Sequence, residues 1–296
     1  MNQSLCPVCR STNTRLHFDD IDDSLDPSIF GSSRRKITHG RILRCIACGF
    51  GFRQVRSNPA EMAELYRRMD VGVYESETIG RKATAARHLD LLKRFTTAKC
   101  GKVLDAGCAS GHFLREARLA GWSVRGVEPS ETLYAKAVES LGPDAEIRCS
   151  ILEQANFMPS SFDAVTLWDV LEHVPEPVEF MRLCGTLLKP GGRLFVNVPD
   201  LDSLEARVLG KRWPLLLAEH LNYFNRRSLL ICGEKAGLKW IHFGRRRVSF
   251  SLDYILFRLS QHRIPGTGLA RGFMGPISRK ISLPIYLGER LGVWSR

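Results

Sequence analysis

Four cysteines fall into two tight pairs, Cys6/Cys9 in C-P-V-C and Cys45/Cys48 in C-I-A-C-G, with 35 residues between the pairs. Two thiolates from each turn can complete a tetrahedral S4 site, a donor set that suits zinc. Gly49 lets the second turn bring backbone N–H groups toward sulfur. No further ligand or open position is evident nearby, so the pattern reads as a closed, structural site. A redox pair is the competing reading, but one C-x-x-C would suffice for it and neither opens a βαβ unit. The other five thiols, Cys100, Cys108, Cys149, Cys184 and Cys232, are scattered in apolar or strand-like surroundings. They fit free thiols of a reducing compartment better than a disulfide framework.

A second constellation is V-L-D-A-G-C-A-S-G-H-F at 103–113. An apolar strand ends at Asp105, glycines follow at 107 and 111, and a helix begins. Glycine allows a ligand to approach the backbone closely, and helix N-terminal N–H groups meet polar or negative groups. Glu128 closes the next strand, 23 residues after Asp105, where a carboxylate can accept hydrogen bonds from both hydroxyls of a ribose. The dinucleotide fingerprint started at Gly107 needs glycine at 109 and 112, and the chain has Ala109 and His112. No Gly-Lys-Ser/Thr follows, which argues against P-loop hydrolysis.

Histidines supply the third chemistry. His173 and His220 each follow a strand end, where the pocket of an open α/β sheet lies, and imidazole suits proton removal near neutrality. His173 reads either as a base or as a helix-start residue that orders its loop. His220, in E-H-L-N-Y-F, reads as base or acceptor contact with Tyr223 beside it, and Glu219 is a weaker candidate. His112, Trp168 and Trp213 line the pocket or pack.

The elements that must position these residues are legible in the hydrophobic pattern. PAEMAELYRRMD (59–70) and RKATAARHLDLLKRF (81–95) have helical spacing and bridge into a larger unit. From 102 onward strand and helix alternate: KVLDAG, the helix HFLREARLAG, WSVRGVEPS, the helix ETLYAKAVES, AEIRCS, SFDAVTLWDV, the helix PVEFMRLCGTLLKPGG with its Pro-Gly-Gly stop, and RLFVNVPD. Such alternation gives a parallel sheet covered on both faces. Beyond 200 the pattern loosens. RSLLICGEKAGL (227–238) reads as a helix, KWIHFGRRRV and ERLGVWSR as strands, and 250–287 resists assignment. Within it, 248–260 reads as a core helix, with docking on a membrane or second subunit as the alternative.

A chain of 296 residues can bury one good core with a small appended module. No apolar run is long enough to span a membrane, and the N-terminus lacks a signal-peptide pattern, so the expected location is cytoplasmic. Net charge is +12, and 241–296 supply +8 of it (ten Lys/Arg against two Asp/Glu). That surplus suits nucleic acid, anionic lipid or an acidic substrate, and equally a solvated basic face. The acidic run DDIDDSLD (19–26) lacks the Gly and Glu of an EF-hand loop and reads as a solvated loop.

D-x-G-x-x-x-G at 105–111 resembles motif I of the class I S-adenosylmethionine-dependent methyltransferases, D/E-x-G-x-G-x-G, with Ala109 in place of the middle glycine. CSILEQANFMPSSFDAVTLWDVLEHVPEP and LLKPGGRLFVNVP resemble the family's later strands. LEHVPEP (171–177) and AEHLNYFNRRSL (218–229) are similar to ubiquinone-type O-methyltransferases and sugar methyltransferases, some of which carry an N-terminal four-cysteine zinc module. The resemblance covers roughly 80–247 and, more loosely, the last strand.

It implies an α/β, Rossmann-like doubly wound fold with a mostly parallel seven-stranded sheet and a small zinc-ribbon-like module. The divisions expected are 1–58 for the module, 59–100 for bridging helices and 101–296 for the methyltransferase domain. It implies S-adenosylmethionine as cofactor beside the structural zinc. Asp105 bears on the methionine amino group, Gly107 and Gly111 on the backbone approach, Glu128 on the ribose, and Ile151 and Leu152 on adenine. Trp168 and Asp169 lie at the fourth strand's end, and Cys108, Ala109, Phe113, Pro129 and Ser150 complete the lining. The acid that the family often carries near 150 or 151 is absent there. Such a cofactor has no pyrophosphate, which removes the need for glycine at 112. The activity implied is methylation of a small-molecule acceptor, most simply at oxygen of a sugar, phenol or lipid-linked compound. RNA methylation is the alternative, although no Asn/Asp-Pro-Pro-Tyr/Phe motif stands where WDVLEHV does. A non-catalytic zinc- and cofactor-binding partner is the third reading. Oligomeric state is not set by the sequence.

Overall fold

The protein was analysed as a computed structural model, which describes residues 4–20, 39–55, 59–67, 77–261, 275, 277, 278 and 280–296. Most of the acidic run at 19–26 and much of the unassigned stretch at 250–287 lie outside the described residues.

The cysteine pairs flank short strands. β1 (Thr14–Phe18) pairs antiparallel with β2 (Ile42–Cys45), and β2 with β3 (Gly51–Arg53). Helices Pro59–Arg67 and Thr78–Phe95 follow. The alternating half then supplies β4 (Lys102–Ala106), β5 (Ser123–Val127), β6 (Glu146–Arg148), β7 (Phe162–Trp168) and β8 (Leu188–Pro199). β9 (Asn222–Tyr223) is only two residues long and joins β3, completing a four-stranded sheet in the order β1-β2-β3-β9. β10 (Lys239–Ser251) and β11 (Ser282–Ser295) close the main sheet, whose order is β10-β11-β8-β7-β4-β5-β6. The pairs from β8 through β6 are parallel, and β11 runs antiparallel to both β8 and β10.

The parallel strands are apolar runs because both faces are covered. One buried cluster gathers Leu104, Val165, Met181 and Val196 with Phe50 and Phe52 of the cysteine segment, and Phe50 packs edge-on to Phe224 at 4.9 Å. Val103, Phe113, Leu114, Phe195 and Val293 fill a second cluster. The small sheet therefore shares a core with the large one.

One element differs from its sequence expectation. The helix expected through Pro-Gly-Gly stops at Leu187, and β8 already begins at Leu188. Phe162 pairs with Leu188 but Ala164 with Arg193, so residues 189–192 are extruded from the ladder. Pro190 has no N–H to give a ladder, and Gly191 takes the left-handed φ of 77° that turns the chain. Helix Leu252–Gln261 follows β10 directly. Among the described residues, no helix is long and apolar enough to cross a membrane.

Candidate active site

The loop after β4 is braced by the strand beside it. Gly107 and Cys108 donate their amides to the Val127 carbonyl at 2.9 and 3.0 Å. Glu128, one residue past β5, accepts from the Ala109 amide at 2.9 Å and the Ser130 amide at 2.8 Å. Burial pushes the Glu128 carboxyl up to about 7, against the pull of those two N–H groups. Gly107 has φ 76°, and a Cβ there would lie 2.8 Å from Val170 Cγ2, so glycine is required at this position. Gly111 meets a different demand: at φ 78° it starts the helix, and a Cβ would crowd Leu141 at 3.1 Å. Ala109 also sits left-handed, at φ 48°, where the family has glycine. Asp105 is buried, accepts from the Thr166 hydroxyl at 2.6 Å, and is pushed well above the usual carboxylate range by desolvation.

Two cavities open at the carboxyl ends of these strands. The larger, about 350 Å³, is bordered by Glu128, Pro129, Ser150, Ile151 and Leu152 and reaches His173 and His220. The smaller, about 210 Å³, is bordered by Asp105, Cys108, His112 and Phe113. Gly107, Ala109, Trp168, Asp169 and Arg81 border both. The larger falls within the size range of small-molecule sites. Gly111 borders neither cavity. Trp213 also turns away, its indole donating to the Leu287 carbonyl at 2.7 Å.

The two histidines meet across the larger cavity's wall, ring centroids 4.8 Å apart and tilted by 74°. His173 Nδ1 lies 2.9 Å from the Glu219 carbonyl and His220 Nδ1 2.9 Å from the Leu215 carbonyl. Donation from each Nδ1 leaves Nε2 as the lone-pair nitrogen of the neutral ring. Burial lowers both: His173 to about 4, and His220 well below its ordinary value with His173 adding to the effect. Glu172 joins them, a carboxylate oxygen within 4.8 Å of a nitrogen of each ring, its carboxyl pushed well above the usual carboxylate range by desolvation and then by the nearby Asp169. Tyr223, expected beside His220 as an acceptor contact, does not border the cavity. Its hydroxyl donates to the Leu217 carbonyl at 3.1 Å, and the ring packs with Ile42, Leu201 and Trp213. Tyr223 pairs opposite Gly51 of β3, and its ring is taken up by the core of the small sheet.

Asp169, expected from the sequence at the fourth strand's end, is held by residues that escape sequence reasoning. Asp169, at φ 59°, is gripped by Arg246 Nη1 at 3.0 and 3.1 Å and by Asn197 Nδ2 at 2.5 Å. Arg246 is buried, pairs with Glu289 at 3.0 Å, and donates from Nε to His88 Nε2 at 2.8 Å. His88 stacks on Trp168 at 3.8 Å. Only the β10–β11 register, which sets Arg246 opposite Glu289, marks this arginine out from its neighbours in the basic run. Glu153, in the short turn Leu152–Gln154, borders the larger cavity two residues beyond the position where the family's acid is missing.

In the N-terminal segment Cys6, Cys9, Cys45 and Cys48 bring their sulfurs within 4.8 Å of one another. Cys6 and Cys48 are 3.7 Å apart, Cys9 and Cys45 3.5 Å. A tetrahedron with Zn–S of about 2.3 Å has edges of about 3.8 Å, so the donor set fits zinc.

Comparison with known proteins accords with this geometry. A family model described as a methyltransferase domain matches residues 79–242. A ubiquinone biosynthesis O-methyltransferase of Chromobacterium violaceum is 40% identical over 119 residues, covering 39% of this chain and 51% of that protein. One of Colwellia psychrerythraea is 30% identical over 177 residues, covering 52% of this chain and 72% of that protein. The chain spans about half the length of the first of these relatives. Among solved structures, the 1,6-didemethyltoxoflavin-N1-methyltransferase of Burkholderia thailandensis, with 1,6-didemethyltoxoflavin and S-adenosylhomocysteine bound, aligns at TM-score 0.52 and 18% identity. It covers 85% of this chain and 97% of that one, a likeness of fold.

Proposed function

Because the chain belongs to the class I S-adenosylmethionine-dependent methyltransferases, we propose that it methylates an oxygen of a small-molecule acceptor bound in the larger cavity against His173 and His220. The acceptor class is a sugar, phenol or lipid-linked compound. One observation carries this reading: two cavities meet at Gly107, Ala109, Trp168 and Asp169, with Glu128 on the β5 side and the histidine pair on the wall formed by the turns after β7 and β8. Relatives named as O-methyltransferases support oxygen as the methylated atom.

The bound cofactor supplies a sulfonium methyl that is already a good electrophile, so this chain's residues must mainly align and deprotonate. Ser150 Oγ, on the cavity border, is buried with no hydrogen-bond partner among the described residues, which suits a polar ligand. Glu128 accepts from the ribose hydroxyls, and Ile151, Leu152 and Pro129 pack the adenine. Glu153 supplies the carboxylate for the adenine amino group. Asp105, behind the glycine loop, faces the amino-acid end. Trp168 and Asp169 border the junction, where alignment does most of the catalytic work. His220 Nε2 takes the acceptor proton, and His173 packs against it.

The lining carboxylates Glu128, Glu153, Asp169 and Glu219, set against Arg81, disfavour a phosphate backbone as occupant. The cysteine cluster holds one structural zinc, and 1–58, 59–100 and 101–296 serve as module, bridge and methyltransferase domain. The scattered free thiols support a cytoplasmic location.

The test is incubation with methyl-labelled cofactor and cell extract, followed by separation of small molecules, RNA and protein. Label is expected in the small-molecule fraction and absent with His220→Ala. Label in RNA or protein would overturn the reading.

A further inference from the structure

The cysteine segment and the histidine wall are joined by a continuous set of buried hydrogen bonds. The turn at Cys45–Cys48 closes with the Cys45 amide on the Phe50 carbonyl at 2.8 Å and leads straight into β3. β3 pairs with β9, Gly51 opposite Tyr223 and Phe52 opposite Asn222. The approach is close: a Cβ on Gly51 would stand 2.7 Å from Leu201 Cδ2 and 3.1 Å from Tyr223 Cβ.

Arg53 ends the strand, 1% exposed. Its amide donates to the Leu221 carbonyl at 3.0 Å, and its Nη1 donates to the Ala218 carbonyl at 2.8 Å. These two carbonyls bracket Glu219 and His220. From β9 the ties run on to the other histidine. Leu221 donates its amide to the Glu172 carbonyl at 2.8 Å, and Asn222 Nδ2 donates to the Leu171 and Val174 carbonyls at 2.9 and 2.6 Å. A second tie fixes the same region: Asp202 accepts from Arg44 of β2 at 2.6 Å and from Asn225 at 2.8 Å. The cofactor side has separate supports. β4, β5 and β7 pair only within the large sheet.

We infer that the cysteine module is the positioning element of the acceptor wall, acting through Arg53, which clamps the 218–221 backbone and so sets where His220 and Glu219 stand. This rests on the assignment of that wall to the acceptor. A buried guanidinium on a carbonyl is a charge-assisted bond in low dielectric, and removing it leaves the Ala218 carbonyl without that donor. Arg53 does not border the cavity, so its role is positioning rather than catalytic.

The test uses the full zinc-loaded chain carrying Arg53→Met, which keeps the apolar stem and removes the donors, and Arg53→Lys, which returns one. Hydrogen exchange is followed by mass spectrometry in peptides covering 217–224 and 103–130, with S-adenosylhomocysteine affinity by calorimetry and zinc content by elemental analysis. With Arg53→Met, the 217–224 amides exchange about tenfold faster or more, as loss of a hydrogen bond to a charged group implies. Exchange at 103–130, S-adenosylhomocysteine affinity and zinc content stay at wild-type values, and Arg53→Lys restores part of the protection. Unchanged exchange at 217–224, or loss of S-adenosylhomocysteine affinity in step with it, would overturn the inference. Should Arg53→Met not accumulate as folded protein, Arg53→Lys alone is read by the same criteria. Failure of the acceptor assignment shows differently: His220→Ala would keep full methyl transfer while the Arg53 effect on exchange remained.

Discussion

Glu128 reaches from the end of β5 to the amide of Ala109 at 2.9 Å, so the acid proposed to face the ribose also holds the loop's one non-glycine left-handed residue. The loop and its partner acid are a single unit. Disturbing either should be read in both stability and cofactor affinity.

Ala109→Gly separates the two effects. A left-handed L-residue costs about 1–2 kcal/mol, and glycine's extra unfolded-state entropy takes back about 0.5–1 kcal/mol. The variant is expected to be more stable by up to about 1.5 kcal/mol in urea unfolding, with S-adenosylhomocysteine affinity at least maintained. A destabilised variant would mean that the alanine methyl makes a packing contact that outweighs its strain.

Glu128→Gln removes the charge and keeps the shape. Hydrogen bonds to a charged group are worth about 1.5–3 kcal/mol, so S-adenosylhomocysteine affinity should fall about ten- to a hundredfold. The pH dependence gives a second reading. The folded carboxyl is raised to about 7 from an ordinary 4.5, so its stability contribution is full below 4.5 and is lost as pH rises through 7. The wild type should therefore lose stability relative to Glu128→Gln across that window, while its cofactor affinity rises with ionisation. Equal pH profiles for the two proteins would remove the ionised-acid role.

The legible and the hidden parts of this fold differ in how far apart their partners lie in sequence. β4, β5, β7 and β8 are apolar runs whose burial is local information, and Asp105 and Glu128 end them at a readable spacing. The cysteine knuckles are equally local. β9 is two residues long and exists because β3, some 170 residues earlier, offers it a ladder. Arg246 reads as one more charge in Gly-Arg-Arg-Arg, and it is buried because the chain returns through Glu289 to neutralise it. Tyr223 stands near His220, ring centroids 5.9 Å apart, yet its long-range pairing with Gly51 of β3 commits its ring to the small sheet's core rather than to the cavity.

The histidine pair yields a further pH prediction. His173 is lowered to about 4 by burial, from an ordinary 6.5, so protons bind the unfolded chain more readily. Its contribution to stability is full above 6.5 and is lost as pH falls toward 4. His173→Gln should flatten the acid side of the stability curve between those values, measured by urea midpoint against pH. His220→Ala should lower kcat about 10²–10⁴-fold with S-adenosylhomocysteine affinity unchanged, as expected for loss of a general base. Equal slopes in His173→Gln and wild type would show that burial does not lower this imidazole in the fold.

Removing a cysteine tests the zinc directly. A tetrahedral S4 site contributes its binding energy to folding, because the unfolded chain has no preformed site. One zinc per chain is expected by elemental analysis, lost in Cys45→Ser and retained in Cys232→Ser, whose sulfur is buried near the same core but lies outside the cluster. Cys45 also terminates β2, and its neighbour Arg44 holds Asp202, so the metal-free variant should lose protection in β2 and β3 before the large sheet opens. S-adenosylhomocysteine binding should survive in Cys45→Ser at low temperature, since β4 and β5 draw no pairing from the small sheet. Full retention of zinc in that variant, or simultaneous loss of cofactor binding and both sheets, would show that the four thiols do not act as the metal-held unit proposed for them.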